Sequence, residues 1–245
     1  MLDGWLNAAL LGLLAASSLI VGALVAFARP ISDRTLGLVL AFGAGVLMSA
    51  VAYELVAEAL HGGTWEALYA VAFAAGAIVF WAGSRWLDGR ADSNADGKTD
   101  ASGEGSAIVL GAVLDGVPES VVLGVSLLGG GSVSIPMLLA VFISNVPEAL
   151  GASAELVAGG QQPRRVLLMW VLVALASAAA AGVGYLVFSR LDAVWVSGAQ
   201  MFAGGAIIAM LAESMVPEAS RKGGRAVGLA TALGFAVAAI LSAAT

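Results

Sequence analysis

The 245-residue chain contains no cysteine, and only 11% of its residues are charged. The missing cysteines exclude disulfides, thiolate metal ligands and thiol redox chemistry. Soluble domains usually have about a quarter of their residues charged, so the low charge content excludes an ordinary soluble domain. The chain has a single histidine, so no nucleophile–histidine pairing is expected, and the sequence predicts that the protein is not an enzyme.

Long apolar runs occupy most of the chain. Hydrophobic residues make up 60% of it, and its mean hydropathy is +0.96. A helix needs about 20 mostly apolar residues to cross a bilayer. The runs predict an all-α integral membrane protein, with eight transmembrane helices in one transmembrane domain over residues 1–245. The predicted segments are 5–28, 35–60, 65–87, 106–128, 134–159, 164–189, 194–218 and 224–243.

Lysine and arginine are distributed unevenly over the loops between these segments. With the N-terminus outside, ten of the 11 basic residues fall on the cytoplasmic side, and only Arg190 falls on the other. This asymmetry predicts that both termini are extracytoplasmic, in the cell (inner) membrane. The expected partners are the lipid bilayer and an ion. Nucleic acid is excluded by the net negative charge, and a homodimer stays open.

The segment 88–105 separates the third and fourth predicted helices. It is rich in Gly, Ser, Asp and Asn and has no apolar periodicity, which predicts a flexible cytoplasmic loop. Residues 92–97 resemble the start of an EF-hand calcium loop. Its closing acid would fall on Gly103, so a linker is favoured over a calcium site.

A weak internal repeat relates the second and seventh segments. Phe42 and Gly45 match Phe202 and Gly205 at an offset of 160 residues. Under the predicted topology these two helices run in opposite directions. The sequence therefore predicts an inverted 3+2+3 repeat, in which helices one to three and six to eight flank a central pair, helices four and five.

Two Pro-Glu motifs lie within the fourth and fifth predicted helices. They read VLDGVPE at residues 113–119 and FISNVPE at residues 142–148. A carboxylate near the bilayer midplane costs about 2.5–3.5 kcal/mol on insertion scales, so two of them in register require compensation. Each proline also leaves a backbone carbonyl one turn earlier without its helical donor.

We predict that a cation provides this compensation, at an oxygen-rich site between helices four and five. The predicted metal ligands are Asp115, Glu119, Glu148, Asn145 and Ser144. Further acids predict a transport path above and below the site, and these are Glu54, Glu58, Glu155, Glu213 and Glu218. The alternative is a kinked pair of packing helices whose motif acids are protonated. The path residues nearest the membrane interfaces, Glu58 and Glu218, would then simply be solvated.

At these motifs the chain resembles the ZIP family of metal transporters, whose fourth and fifth helices typically read His-Asn-x-Pro-Glu-Gly or close to it. Glu119 and Glu148 match the motif glutamates, whereas Asp115 and Ser144 stand where the family usually has histidine or a similar ligand. The resemblance covers essentially the whole chain. It implies uptake of divalent metal, of the zinc, iron and manganese class, into the cytoplasm.

Departures from the family pattern refine what the resemblance implies. Gly116 offers no side chain where the family has asparagine, and the sixth helix contains no acid, only Ser177 as a polar candidate. One bound ion is therefore expected rather than two. Without histidine ligands the site suits Mn²⁺, Fe²⁺ or Mg²⁺ at least as well as Zn²⁺. The metal is a substrate, and no organic cofactor is expected.

Two other functions stay open at this point. A proton-coupled permease for a non-metal substrate would use the same buried acids as a proton relay. A transport-inactive relative would act as a scaffold or sensor, which the missing histidines would explain.

Overall fold

The structure is a computed structural model that describes residues 2–61, 65–95, 116–128 and 134–244. The described residues are helical almost throughout and contain no strand, so the predicted all-α class is confirmed. In chain order, the helices are α1 (Leu2–Ala28), α2 (33–61), α3 (Glu66–Ala95), α4 (described over 116–126), α5 (Ile135–Ala158), α6 (Pro163–Phe188), α7 (193–223) and α8 (Val227–Ala244). Within α2, Asp33–Ala50 is followed by a π-helical segment, Val51–Ala57, and a last turn, Glu58–His61. Within α7, Ala193–Met210 is followed by a π-helical segment, Leu211–Met215, and by Val216–Gly223, and the 3₁₀ turn Gly224–Ala226 precedes α8.

Six helices among the described residues are long and apolar enough to cross a membrane. They are Gly4–Ala28, Asp33–Leu60, Glu66–Trp86, Ile135–Ala158, Pro163–Phe188 and Ala193–Ala244. These helices are consistent with an integral membrane protein. The last one has 52 residues, more than twice the length that one crossing needs. The predicted total of eight crossings stays a prediction.

Helix ends follow local sequence signals. The Ser32 hydroxyl accepts a hydrogen bond from the Thr35 N–H at 3.2 Å and caps α2. The Ser134 hydroxyl does the same for α5, accepting from the Met137 N–H at 3.1 Å. Gly224, with φ of 67°, separates α7 from α8, because a left-handed residue interrupts the helical path and favours glycine.

The predicted loop 88–105 begins later than expected, because α3 continues as a helix to Ala95. No proline occurs between Trp86 and Ala95, and polar residues do not end a helix by themselves once it has begun. The loop boundary over residues 88–95 is therefore corrected. Residues 96–105 lie outside the described residues.

The helices pack in pairs. α1 lies against α6 and α5, α2 lies against α8 and α5, and α3 lies against α7. In the most apolar stretch of α2, 67% of the residues are buried, compared with 56% in α5 and 17% in α3. α2 is the most buried of these three helices, because α8, α5 and the last part of α7 all pack on it. The predicted central position of helices four and five stays a prediction.

Four glycines set the distance between helices in the α2·α8 and α3·α7 pairs. A Cβ on any of them would overlap a backbone carbonyl oxygen of the facing helix, so only glycine allows so close an approach. The glycine–carbonyl pairs are Gly45–Thr231 and Gly234–Phe42 between α2 and α8, and Gly205–Phe73 and Gly76–Phe202 between α7 and α3. The same contact pattern therefore occurs in both helix pairs.

The π-helical segments follow the same relation. One begins at Val51 in α2 and the other at Leu211 in α7, and these positions are 160 residues apart, like Gly45 and Gly205. π-helical turns are rare and often occur at functional sites. The π-helical segments are therefore a second feature, beside the glycine contacts, that the α2·α8 and α3·α7 pairs share at equivalent positions.

Candidate metal site

A small cavity lies where α4 and α5 meet α1 and α6. Its volume of about 10 Å³ is about the smallest that holds one water molecule. The polar residues that line it are Glu119, Ser120, Asn145, Glu148 and Ser177, and the rest of the wall is made by Ala15, Ala16, Leu19, Gly116 and Val141. The cavity thus has an oxygen-rich side on α4, α5 and α6 and an apolar side on α1.

Small residues bring the four helices together around this cavity. Gly22 of α1 lies against the carbonyl oxygen of Val146, which is inside the second Pro-Glu motif. Gly124 of α4 lies against the carbonyl oxygen of Ala181 in α6. A side chain at either glycine would push the helices apart, so the cavity depends on these close approaches.

The two motif glutamates both reach the cavity but differ in exposure. Glu119 is only 3% exposed, whereas Glu148 is partly exposed. On α5, Asn145 and Glu148 are three residues apart and therefore share a helix face. Ionised carboxylates in an apolar bundle require compensation by opposite charge or hydrogen bonds. A donor set made of oxygen atoms suits hard divalent cations.

The predicted ligands do not all come together. Asp115 lies outside the described residues. Ser144 is buried, but its hydroxyl donates to the Val141 carbonyl at 3.0 Å and it does not line the cavity. A Cβ on Gly43 would lie 3.1 Å from the Ser144 Cα, so this part of α5 faces α2. The structure therefore brings together Glu119, Asn145 and Glu148 from the predicted set.

Two hydroxyl groups at the cavity were not among the predicted ligands. Ser120 is one turn after Gly116 on α4, and that spacing is the signal that it shares the cavity face. Ser177 was recognised as the polar candidate of α6. A Cβ on Gly116 would lie 3.4 Å from the Ser177 Oγ, so the missing side chain of Gly116 leaves room for this hydroxyl.

Glu54, the first of the predicted path residues, is tied to the beginning of α5. Its Oε2 accepts a hydrogen bond from the Ser134 hydroxyl at 2.5 Å, and its Oε1 accepts one from the Ser242 hydroxyl of α8. Ser134 also caps α5, so its hydroxyl connects the helix that carries Glu148 with the π-helical segment of α2.

Two other path residues connect α7 with its neighbours. Glu58 accepts a hydrogen bond from the Gln200 Nε2 at 3.3 Å, which links the last turn of α2 to α7. Glu213, in the π-helical segment of α7, accepts one from the Ser84 hydroxyl of α3 at 2.8 Å. Ser84 and Ser242 are 158 residues apart, the same offset as between Gly76 and Gly234.

The remaining path residues, Glu155 and Glu218, share one lysine. Lys222 Nζ lies 3.0 Å from Glu155 Oε1 and 2.8 Å from Glu218 Oε1. The Glu155 side chain is 66% exposed, because it belongs to the last turn of α5. None of the five path glutamates, all in the described part of the chain, lines the cavity.

The described residues supply two carboxylates to the cavity. Within these residues, no three Asp, Glu or His side chains form a group able to hold a metal ion. Glu119 and Glu148 would therefore be completed by neutral oxygens, or by Asp115 from outside the described residues. No protein-family model matches this chain, and no curated protein matches it either.

Proposed function

We propose that this protein transports divalent metal ions of the zinc, iron and manganese class across the membrane into the cytoplasm. The observation that carries the proposal is the cavity in which Glu119 and Glu148 come together. They arise from two Pro-Glu motifs on neighbouring helices, within a bundle of long apolar helices. Such ionisable residues inside apolar helices usually mark an ion or proton pathway.

The chemistry of the donors supports a hard divalent ion. Two carboxylates neutralise two positive charges, and the oxygens of Asn145, Ser120 and Ser177 offer neutral ligands on the same side of the cavity. None of the described residues that line the cavity is a histidine, so they do not exploit the preference of Zn²⁺ for imidazole. We infer that Mn²⁺ and Fe²⁺ bind at least as well as Zn²⁺.

The proposed architecture has eight crossings, with inverted repeats on either side of α4 and α5, as in the ZIP family that the motifs resemble. The equivalent glycine contacts, π-helical segments and Ser–Glu hydrogen bonds of the α2·α8 and α3·α7 pairs support it. Inverted repeats are related by a pseudo-two-fold axis in the membrane plane and can exchange their arrangements, which is a structural basis of alternating access in transporters. The excess of lysine and arginine on one side supports extracytoplasmic termini in the cell membrane.

The proposal is tested with the purified protein in liposomes that contain a metal-sensitive dye. Uptake of Mn²⁺ is measured for the native chain and for Glu119→Gln and Glu148→Gln. Each substitution is expected to lower the initial rate by about 100-fold or more, because loss of a ligand exceeds the 10- to 100-fold cost of losing an outer-sphere partner. Glu66→Gln is the matched control, since Glu66 is exposed at the beginning of α3.

The outcomes separate the candidate functions. Native rates in both cavity variants would contradict the proposed site. A flux driven by a pH gradient without metal, lost in the same variants, would favour the proton-coupled permease. Absence of both fluxes from a correctly folded native protein would favour the scaffold or sensor.

A further inference from the structure

The acidic end of α5 already holds a positive charge from the protein itself. Lys222 Nζ contacts the carboxylates of Glu218, one turn earlier on α7, and of Glu155 on α5. The lysine side chain is only 19% exposed, although the Glu155 side chain is 66% exposed. The ammonium group therefore lies between the two helices and ties their ends together.

Within the ion-pair cluster Glu155–Lys222–Glu218, Glu155 is on the same face of α5 as Glu148, which lines the cavity. Glu155 follows Glu148 by seven residues, which is about two helical turns, or about 10 Å along the axis. Gly151 lies between them, and a Cβ there would be 3.5 Å from the Glu218 Oε1. The Glu218 carboxylate thus occupies the space that the missing side chain of Gly151 leaves on α5.

Three carboxylates follow one another along α5 as a result. Glu148 lines the cavity, Glu218 lies beside Gly151, and Glu155 lies at the end of the helix. A divalent ion that leaves the cavity along this side of α5 would meet carboxylate oxygens about one turn apart. It would also meet the Lys222 ammonium, which repels it and occupies the last two carboxylates.

We propose that Lys222 is a tethered cation that closes the path from the cavity at this end of α5, and that the transported ion displaces it. This inference rests on the proposed metal transport. When the ammonium leaves, both of its ion pairs break, and the tie between α5 and α7 is lost in the same step. Opening of the path is thereby coupled to the presence of a cation in it.

The strength of the cluster suits a closure that opens often. Ion pairs with exposed partners contribute little to stability, and Glu155 is largely exposed. The pair with Glu155 is largely exposed and the pair with Glu218 is partly exposed, so together they hold the path closed only weakly. A divalent ion that binds several carboxylates at once can therefore compete with one ammonium group. A single buried and strongly bonded pair would not be displaced so easily.

The cysteine-free chain allows a direct test. Gly151→Cys places one thiol beside the Glu218 carboxylate, and its Cβ would make only ordinary contacts, the nearest at 3.4 Å from a Leu36 methyl carbon. The protein is reconstituted in nanodiscs, where both faces are accessible. The measured quantity is the rate at which a positively charged methanethiosulfonate reagent modifies this thiol.

Lys222→Gln in this background is expected to raise the modification rate by about three- to tenfold, the size expected from the loss of two partly exposed ion pairs. Lys222→Arg should keep the low rate, because it keeps the cation. Arg221→Gln removes a positive charge from the neighbouring, exposed position and should leave the rate within about twofold. Glu155→Gln removes one ion pair and should give an intermediate rate, which provides a second variant if Lys222→Gln folds poorly.

Addition of Mn²⁺ to the same labelling reaction tests whether a metal ion displaces the Lys222 ammonium. It should raise the modification rate when Lys222 is present and have no further effect in Lys222→Gln. The inference would be overturned if the thiol were modified at equal rates in the chain that keeps Lys222 and in both the Lys222→Gln and Glu155→Gln variants. If Lys222→Gln is modified faster but Mn²⁺ does not change the modification rate of the chain that keeps Lys222, displacement by metal is overturned, while closure by Lys222 stays in place. If the native protein shows no Mn²⁺ flux but the modification rates follow the expected order, only the proposed function is contradicted.

Discussion

The α2·α8 and α3·α7 helix pairs share their construction but not their surroundings. Each pair has two glycine–carbonyl contacts, one π-helical segment, and one hydrogen bond from a serine to a glutamate in that segment. Yet α2 is enclosed by other helices, whereas α3 lies at the surface of the bundle. Comparison of the two separates what the local sequence determines from what the neighbouring helices determine.

The clearest difference concerns the two glutamates. Glu213 is exposed and accepts a hydrogen bond from the Ser84 hydroxyl of the facing helix. Glu54 is partly buried and accepts hydrogen bonds both from Ser242 and from Ser134, at the beginning of α5. The extra donor is present because α5 packs on α2, whereas the described residues show no comparable packing of α5 on α3. The glutamate of the α2·α8 pair is therefore bonded to the beginning of the helix that carries Glu148, whereas the described bond of Glu213 stays within the α3·α7 pair.

The largest expected effect comes from the glycine contacts. Gly45→Ala should lower the free energy of unfolding by about 3 kcal/mol, because its Cβ would overlap the Thr231 carbonyl in an enclosed interface that cannot relax. Gly205→Ala should cost about 1–2 kcal/mol, because α3 lies at the surface and can shift outward. Unfolding by SDS in mixed micelles measures both values.

A matched control for these substitutions lies on α7 itself. A Cβ on Gly198 would meet nothing within 4 Å, so Gly198→Ala should stabilise the protein by up to about 1 kcal/mol through helix propensity. If Gly45→Ala were as stable as Gly198→Ala, the close approach of α2 and α8 would be wrong. Equal losses for Gly45→Ala and Gly205→Ala would remove the distinction between the enclosed and the surface pair.

The second prediction concerns the connection between α2 and α5. Ser134→Ala should lower the free energy of unfolding by about 2 kcal/mol, because it removes both the cap of α5, which contributes about 1 kcal/mol, and a donor to Glu54. Ser32→Ala removes a cap of the same kind from α2 and should cost only about 1 kcal/mol. A loss at Ser134 no larger than at Ser32 would show that the bond to Glu54 contributes nothing.

Much of the fold follows from the sequence because apolar runs and caps determine where helices lie. The fifth and sixth predicted segments, 134–159 and 164–189, differ from Ile135–Ala158 and Pro163–Phe188 by one residue at each end. Serine, glycine and proline mark these ends, and each acts through its own neighbours in the chain. α3 was less predictable at its end, since polar residues weaken the apolar signal without stopping the helix.

The cavity was predictable only in part. Sequence spacing shows that Ser144, Asn145 and Glu148 lie on adjacent parts of one helix surface, but not which neighbouring helix each of them faces. Ser144 faces α2 and bonds to its own helix, whereas Asn145 faces the cavity between α4 and α5. This choice depends on how far α5 is rotated against α1 and α2, which is set by contacts between helices distant in the sequence.

The pairing of Lys222 illustrates the same limit. From the sequence, Lys222 is a basic residue in a predicted cytoplasmic loop, where it would simply favour the predicted orientation. Its contact with Glu155 depends on the approach of α7 to α5, two helices further back along the chain. Residue type alone thus singles out the glutamates of the predicted path, but not the partners that they bond in the structure.

The smallest expected effect tests the two equivalent Ser–Glu hydrogen bonds against each other. Ser242→Ala should lower the free energy of unfolding by about 1 kcal/mol, because it removes a donor from the partly buried Glu54 carboxylate. Ser84→Ala should cost less than about 0.5 kcal/mol, because Glu213 is exposed and its lost donor is readily replaced. The difference should disappear in the Ser134→Ala background if Glu54 then becomes more accessible to water. A larger cost for Ser84→Ala than for Ser242→Ala would mean that the surface pair, not the enclosed one, depends more on its hydrogen bond, and the ranking of the two helix pairs would be reversed.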